Sequence, residues 1–449
     1  MTRINKSVLS LAVAGIFAGG ASQAYASAFA LIEQSASGLG NAYAGAAAAA
    51  EDASTVYYNP AGMTLLKGPA QISIGFAYIN ISEKFTDGGS LPSGTALGGV
   101  NPAAPRPLGG TGGDAGGPAF VPNFFVAADI APDWKFGLGI SVPFGLKTNY
   151  EGDWLGRFQA VKSELTTLNI NPSLAWKVND MLSLGGGVSY QEIDATLSSN
   201  ANYVAAAFAA AGAGAAAAVP AANAEGRVTV SGSDGAWGYN LGAMIQAGTD
   251  TRIGITYRSA IKYHVTGSAN FDNAPALLGG LNTGVSLDVK MPDSASVALQ
   301  QKLGSSWILL ADATWTGWSK IQALTIVRSN GTTLSSTPEN FKDTYRYGVG
   351  VTYRHSDAWS FKAGAAIDQT PVNDTDRTPR LPDQDRTWIS FGAKYGISND
   401  TTLDIGYSHL LVKDASINQN AGSTTANGLI LGSYKASIDI FGMQLSHRF

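Results

Sequence analysis

The side chains that could carry out chemistry in this sequence are few and widely scattered. The four histidines, His264, His355, His409 and His447, do not have the spacing of metal ligands. Cysteine is absent, which excludes disulfides and thiol nucleophiles. The sequence also contains no phosphate-binding loop and no nucleophile elbow. We therefore expect no enzymatic activity and no cofactor.

A short acidic segment offers the one arrangement of possible metal ligands. Carboxylate oxygens are the ligands that Ca²⁺ prefers. A solvent-exposed loop uses the same residue types, and we predict such a loop rather than a metal site. The residues concerned are Asp374, Asp376, Asp383 and Asp385.

The composition narrows the class of protein. Charged residues make up 14% of the 449 residues, against about 25% in soluble proteins. The mean hydropathy of +0.03 is nevertheless far below that of a helical membrane protein. The net charge of −4 provides no basic surface for nucleic acid. These values argue against a cytosolic enzyme, a nucleic-acid-binding protein and a helical transporter.

The N-terminus has the pattern of an export signal. Arg3 and Lys6 precede an apolar stretch over residues 8–18, and Ala24-Tyr25-Ala26 is a small-x-small cleavage motif. We predict a signal peptide over residues 1–26 and a mature chain that begins at Ser27.

Most of the remaining chain alternates between apolar and small or polar residues. Residues 345–354, 359–368 and 403–411 show this period of two, which indicates strands with two different faces. Six tight turns join such runs, and together with one strand at each end they predict fourteen strands. Between the hairpins lie long polar stretches, and one of them contains an alanine-rich run, 204–222, that we predict to be a short surface helix. The turns lie at 132–133, 179–180, 248–250, 304–305, 356–357 and 399–400.

Short turns on one side and long loops on the other are typical of an outer-membrane β-barrel. Trp134, Trp176, Trp307 and Trp359 lie near the short turns and predict an aromatic girdle, although the core of a soluble β-protein is an alternative.

The chain ends on Phe449, in an amphipathic strand of the kind read by the barrel assembly machinery. We predict an all-β membrane protein in the outer membrane of a Gram-negative bacterium, with its barrel over 69–449.

Residues 27–68 lack sustained alternation and are rich in small residues, which predicts a hatch folded inside the lumen. SAFALIEQSASGLGNAYAG at 27–45 and AEDASTVYYNPAGM at 50–63 resemble the hatch of the FadL-type outer-membrane transporters of long-chain fatty acids and aromatic hydrocarbons. A second block at 341–392, which includes LPDQDRTWISFG, also resembles that family.

The resemblance implies a 14-stranded barrel, closed by the hatch, that takes up hydrophobic compounds passively. The ligand would leave sideways into the outer-membrane lipid through a gap at the third strand once the hatch N-terminus moves. We expect a monomer that binds a hydrophobic small molecule and no nucleic acid. A purely structural barrel and a polar-solute porin are the alternatives.

The resemblance assigns hatch residues to two groups. Phe29, Leu31 and Ile32 match the part of the hatch that reaches the ligand pocket. The motif Asn59-Pro60-Ala61 is either a structural turn or part of the gating mechanism, since Asn bonds backbone groups and Pro fixes φ.

The third strand contains Val142-Pro143-Phe144-Gly145. Because proline cannot donate a hydrogen bond to a β-ladder, Pro143 predicts a local gap between strands, or else marks the end of the strand. Gly242 on the sixth strand matches a family position that lines the opening.

Six charged residues of the distal block match family positions on inner faces, where they could pair across the lumen, with the hatch, or with ligand. They are Asp343, Arg346, Asp368, Asp383, Asp385 and Arg386.

The basic residues that relatives place near a fatty-acid carboxylate correspond here to positions near Leu197 and Thr337, which are not basic. This departure favours a neutral aromatic or alkane ligand, whereas the family as a whole favours long-chain fatty acids.

Overall fold

The computed structural model describes residues 28–94, 106–420 and 427–449. The predicted signal peptide, 1–26, lies outside the described residues. The described chain forms a closed barrel of fourteen antiparallel strands, as predicted. The strands are β1 Ala70–Asp87, β2 Gly117–Ala131, β3 Trp134–Ser141 with Gly145–Asn149, β4 Lys162–Lys177, β5 Leu182–Asn202, β6 Glu225–Gln246, β7 Thr251–Arg258 with Ile261–Phe271, β8 Thr283–Met291 with Ser294–Leu303, β9 Trp307–Thr316 with Ala323–Arg328, β10 Thr333–Pro338 with Thr344–Arg354, β11 Trp359–Asp368, β12 Arg386–Gly396, β13 Thr401–Val412 with Ala415–Gln419, and β14 Ile430–Arg448.

The barrel closes between its first and last strands. β1 pairs with β14 from Gln71 opposite Arg448 to Asp87 opposite Gly432. Closure gives the backbone groups of both terminal strands a partner, which a wall surrounded by lipid requires.

One rim of the barrel has the short turns and the other has the long loops, as predicted. Each of the six predicted turns joins two neighbouring strands on one rim. The alanine-rich run forms the helix Tyr203–Ala217 within a loop of the opposite rim. None of the helices in the described ranges is long and apolar enough to cross a membrane.

The aromatic girdle faces outward near the short turns. Trp134, Trp176, Trp307 and Trp359 are each about two-fifths or more exposed, and the rings of Trp134 and Trp176 stack 5.6 Å apart. Their exposure excludes the alternative that they belong to a packed core.

Residues 28–66, here called the hatch, lie inside the barrel. They form the short helices α1 Ala36–Leu39, α2 Ala46–Ala49 and α3 Thr55–Tyr58, followed by a 3₁₀ turn, Pro60–Leu65.

Glycines of the inner wall allow the hatch to approach closely. A Cβ at Gly364 would overlap the backbone of Asn41, and one at Gly254 would overlap that of Ala47. These contacts explain part of the chain's content of 54 glycines in 449 residues.

Candidate functional site

The third strand is interrupted at the predicted proline. Its two segments, Trp134–Ser141 and Gly145–Asn149, both pair with β4. Ser141 lies opposite Asn169, and Gly145 lies opposite Thr166. Between these pairs, the three residues 142–144 of β3 face only the two residues 167–168 of β4. This is a bulge of one extra residue. The strand resumes after Pro143, which agrees with an interruption and not with a strand end.

The barrel wall opens beside this bulge. β3 pairs with β2 only along part of its length. The paired stretch begins where Phe124 lies opposite Ile140 and ends where Ala131 lies opposite Trp134. The other half of β2, residues 117–123, pairs with β1 alone among the described strands. This half contains Pro118 and Pro122, and proline is found in sheets mainly where a strand lacks a neighbour. The wall therefore has a lateral gap between β2 and β3.

The start of the hatch fills this gap. The backbone N–H of Leu31 donates to the carbonyl oxygen of Pro143 at 2.7 Å, and that of Gly145 donates to the carbonyl oxygen of Phe29 at 2.8 Å. These two bonds flank a bridge between Ala30 and Phe144. Residues 28–34, here called the seal segment, thus take the place of a neighbouring strand at the bulge.

Gln34 completes the pairing, and no sequence signal pointed to it. Its side-chain Nε2 donates to the carbonyl oxygen of Val142 at 2.8 Å, while its Oε1 accepts from the Val142 N–H at 3.2 Å. On the β4 side, the Thr167 hydroxyl accepts a hydrogen bond from the Phe144 N–H at 2.9 Å. The same hydroxyl donates to the carbonyl oxygen of Phe144 at 2.8 Å. The bulge is therefore hydrogen-bonded throughout.

Aromatic rings pack around the seal segment. The ring of Phe29 meets Trp318 edge-on with centroids 4.7 Å apart, and lies 6.1 Å from Phe144. Phe341 also meets Trp318 edge-on, with centroids 6.1 Å apart. Phe29 and Leu31 are buried, and Ile32 is half-buried.

A cavity of about 170 Å³ lies against the seal segment. Its apolar side consists of Leu31, Ile32, Pro143 and Phe144. The rest of the lining is rich in hydroxyl groups from β7, β8, β9 and β10, and includes Arg258 and Arg346 together with the carboxylates of Asp312 and Asp368. For comparison, an apolar cavity of about 150 Å³ holds one benzene molecule.

Four of the six predicted charged residues come together near this cavity. Arg386 forms an ion pair with Asp383, and its Nε lies 4.0 Å from a carboxylate oxygen of Asp368. Asp383 also accepts a hydrogen bond from the Ala28 N–H at 3.0 Å, which ties the start of the seal segment to the wall. Arg346 donates to the carbonyl oxygen of Ala42 in the hatch.

Two predictions for the charged residues are wrong. Asp343 lies in an exposed loop, where it accepts from the Ser319 N–H at 2.9 Å. Asp385 accepts from the Thr370 N–H at 3.0 Å and pairs with the exposed Lys413. Both precede the first residue of a strand, where alternation no longer determines the direction of a side chain.

Glu33 is a buried carboxyl group that sequence reasoning missed. It is fully buried in the seal segment, and neither oxygen has a hydrogen-bond partner among the described residues. Burial raises the pKa of Glu33 to about 8, and the nearby charges belong to Arg386, Asp368 and Arg346. The carboxyl is thus neutral at pH 7.

The body of the hatch is held by barrel cations. Lys362 donates to the carbonyl oxygen of Ser37 at 2.6 Å and to Glu51 at 2.7 Å, and Lys394 donates to Glu51 at 3.0 Å. Although burial favours the neutral acid, these two lysines hold the pKa of Glu51 well below its ordinary value. Arg252 donates to the carbonyl oxygens of two residues at the end of α2.

The motif Asn59-Pro60-Ala61 connects the hatch to β6. Asn59 Nδ2 donates to the carbonyl oxygens of Ala47 and Ala243 at 2.8 and 3.0 Å, and its Oδ1 accepts from the Ala61 N–H at 3.1 Å. These bonds make the motif a buried structural turn.

Gly242 does not line the gap, so its predicted place is corrected. It lies on β6, and both β4 and β5 stand between it and β3. A Cβ at Gly242 would overlap the side chain of Asn59. A glycine is needed here because the hatch turn contacts the wall.

Within 28–94, 106–420 and 427–449 no group of three or more His, Asp or Glu side chains could hold a metal ion.

Comparisons with known proteins agree with this architecture. The family described as "Outer membrane protein transport protein (OMPP1/FadL/TodX)" matches residues 17–449. A long-chain fatty acid transport protein of Salmonella typhi is 30% identical over 429 residues, which cover 93% of this chain and 94% of that protein. The solved structure of a Pseudomonas aeruginosa FadL homologue is 27% identical, has a TM-score of 0.85 and covers 94% of this chain and 100% of its own.

The Pseudomonas putida toluene transporter TodX has the same fold, with a TM-score of 0.66 at 16% identity over 94% of this chain and 100% of its own. On the match of its family model, this chain belongs to the OMPP1/FadL/TodX family of outer-membrane transport proteins.

Proposed function

We propose that this protein is a passive channel for long-chain fatty acids, in which displacement of the seal segment opens a lateral path between β2 and β3. The observation that carries the proposal is the pairing of residues 28–34 with the interrupted strand. A segment that substitutes for a strand without being part of the barrel wall can leave without breaking the barrel.

The physical argument for a lateral path is the cost of water contact. Each methylene exposed in an aqueous lumen costs about 0.8 kcal/mol, so a long alkyl chain strongly prefers an apolar route. Pro143 and Phe144 lie at the gap and also line the cavity, which supports a path from the cavity to the gap. Hatch residues occupy the lumen beneath it, which disfavours a polar-solute porin.

A ligand in the cavity would contact both the seal segment, through Leu31 and Ile32, and the interrupted strand, through Pro143 and Phe144. Such a ligand would favour the open state only if it binds that state more tightly, because a ligand shifts an equilibrium only through its different affinities for the two states.

Neutral aromatic hydrocarbons or alkanes are the second candidate ligands. Leu197 lies in the lining of an apolar recess together with Val230, Val265 and Val285. At about 40 Å³ the recess is too small to hold an aromatic ring, so it bears only on the charge of a ligand that contacts it. No cation lies in this lining, so a carboxylate would find no partner here.

Uptake of radiolabelled oleate tests the proposal. Gram-negative cells that lack their own fatty acid transporter would express this protein, and its surface level would be measured. Uptake above the empty vector supports fatty acids as ligands. Absence of oleate uptake with uptake of labelled toluene supports the second candidate, and absence of both overturns the proposed function.

The C-terminal strand supports a proposal about assembly. Phe441, Met443 and Leu445 face outward, as does Phe449 at the end of the chain. An apolar outward face that ends on an aromatic residue fits recognition by the barrel assembly machinery. The deletion that tests this is described below.

A further inference from the structure

Two lysines face each other on the outer surface of the barrel, at the seam between its first and last strands. Lys84 of β1 lies directly opposite Lys435 of β14. Both side chains are exposed, whereas their neighbours Glu83, Phe85 and Tyr434 are buried on the inner face. Like charges at directly opposite positions destabilise a sheet, because the Cβ atoms are only about 4.5–5.5 Å apart. The pair therefore gains stability from an anion that both ammonium groups share.

The chain itself does not supply that anion. Every Asp and Glu lies within the described ranges, and no carboxylate oxygen is within 4.0 Å of either ammonium. Asp114 stands opposite Lys84, but its carboxylate has other partners. One oxygen accepts from the Ser82 hydroxyl at 2.7 Å, and the other accepts from the N–H groups of Glu83 and Gly116 at 2.7 and 3.1 Å.

Asp439 is the next acidic side chain along the outward face of β14, and it is also occupied. It accepts from the Tyr407 hydroxyl at 2.7 Å and lies 2.8 Å from Nδ1 of His409. The two lysines thus remain without a carboxylate partner, although acidic side chains are close in the sequence.

Hydroxyl groups flank the lysine pair on the same outward face. The next outward pair towards the long loops is Thr86 opposite Ser433, and the next towards the short turns is Ser82 opposite Ser437. Ser82 already donates to Asp114. The other three hydroxyls and the two ammonium groups are all hydrogen-bond donors, which suits the several acceptor oxygens of a phosphate group.

Towards the short turns the same face becomes apolar. Each of its outward pairs joins a residue of β1 to one of β14: Ile74 with Leu445, Phe76 with Met443, and Tyr78 with Phe441. Lys84 lies six residues beyond Tyr78, on the half of β1 that leads to a long loop. Because the long loops of outer-membrane barrels are extracellular, the lysines lie on the side of the outer leaflet and its head groups.

A second lysine pair has the same register but a different environment. Lys262 of β7 lies opposite Lys290 of β8, and both side chains are exposed. The adjacent outward pair there is His264 opposite Asp288, so a carboxylate stands beside the lysines. At the seam, the adjacent outward pairs consist of hydroxyl residues only.

We propose that Lys84 and Lys435 bind a phosphate group on the head group of an outer-leaflet lipid, whose acyl chains lie along Tyr78 and Phe441. The ammonium groups supply the charge, the hydroxyls supply further donors, and the apolar band accommodates the chains. A lipid bound in this way joins the first strand to the last and stabilises the closure of the barrel. The site is on the outer surface and is independent of the compound that the lumen carries.

Native mass spectrometry of the purified protein tests the site. The probes are lipid A with two phosphate groups and zwitterionic phosphatidylcholine. The wild type is expected to prefer lipid A by about tenfold or more, since each lysine near an anionic surface contributes to binding. In Lys84→Gln with Lys435→Gln this preference disappears, while binding of phosphatidylcholine is unchanged. Lys84→Arg with Lys435→Arg keeps both charges and is expected to keep the preference.

Lys262→Gln with Lys290→Gln is the matched control, because it removes the same charge from a pair of the same register. It is expected to retain the preference for lipid A. An unchanged preference after the seam lysines are replaced would overturn the site. An equal loss in both variants would also overturn it, because general surface charge would then explain the binding. Displacement of lipid A by equimolar glucose 1-phosphate would assign the site to free phosphate and overturn the lipid.

The proposed link between β1 and β14 has its own readout. Lipid A should raise the temperature at which the heat-modifiable band of the folded barrel is lost, because a ligand of the folded state stabilises that state. The increase should be absent in Lys84→Gln with Lys435→Gln and present in the matched control. Absence of the increase in the wild type would overturn the link. Since none of these measurements involves uptake, their failure leaves the proposed transport function standing.

Discussion

The side-chain amide of Gln34 bonds both backbone groups of Val142, donating to its carbonyl oxygen at 2.8 Å and accepting from its N–H at 3.2 Å. The Gln34 side chain thus provides the backbone hydrogen bonds that a neighbouring strand provides elsewhere in the barrel. Together with the backbone bonds of Phe29 and Leu31, this side chain holds the seal between hatch and wall, and it can be altered without changing any strand.

Replacing Gln34 by Ala should weaken the seal. Both backbone groups of Val142 lose their partner, and each buried group left without one costs about 1–3 kcal/mol. Amide hydrogen exchange at Val142 should accelerate by about tenfold or more. Gln322→Ala, in an exposed loop, is the control. Unchanged exchange at Val142 would show that Gln34 does not hold the bulge.

Docking of the seal segment should depend on pH through Glu33. The pKa of Glu33 is about 8 in the docked segment and near its ordinary 4.5 when the segment is released, so docking takes up a proton. Docking is then strongest below pH 4.5 and weakens as pH rises towards 8. The charged groups nearby are Arg346, Arg386 and Asp368.

Hydrogen exchange of residues 28–34 at pH 6 and pH 9, corrected for intrinsic rates, measures this effect. Less protection is expected at pH 9 in the wild type, and no difference in Glu33→Gln, which cannot ionise. A pH-dependent difference that persists in Glu33→Gln would assign the effect to another group.

A larger side chain at Gly242 should displace the hatch turn. A Cβ there overlaps Asn59, so Gly242→Leu would break the bonds from Asn59 to Ala47 and Ala243. The hatch should become more sensitive to protease while the barrel remains folded. Gly214→Leu is the control, because a Cβ at Gly214 meets only open space. Equal sensitivity of the two variants would contradict this explanation.

Removal of Phe449 should block assembly. The backbone N–H of Phe449 donates to the carbonyl oxygen of Ala70 at 2.9 Å, and its ring faces outward at the end of β14. Without it, the heat-modifiable band of a folded barrel should be lost from the outer membrane. Trimming the exposed side chain of Met181 to Ala is the control. A normal barrel in the deletion variant would contradict the proposed recognition.

The fold followed from local patterns, whereas the site depended on contacts between distant residues. Alternation and tight turns were sufficient to predict the strands, and Pro143 marked the bulge because proline cannot donate to a ladder. Gln34 and Val142 are 108 residues apart, and alternation predicts which face a residue occupies but not which residue it meets. Glu33 was missed for the same reason.

A reversible cross-link between the seal segment and β3 tests whether the seal segment must move for a ligand to pass. Ala30 and Phe144 face each other as a pair flanked by two hydrogen bonds, a geometry that brings Cα atoms to about 4.5 Å and suits a disulfide. Since the chain has no cysteine, Ala30→Cys with Phe144→Cys introduces a single pair.

The control pair is Ser73→Cys with Ser446→Cys, whose side-chain oxygens lie 2.8 Å apart between β1 and β14. Oxidation is expected to abolish oleate uptake through the first variant and reduction to restore it, whereas the control pair should transport in both states. Full uptake through the oxidised first variant, with the disulfide verified, would show that the seal segment need not move.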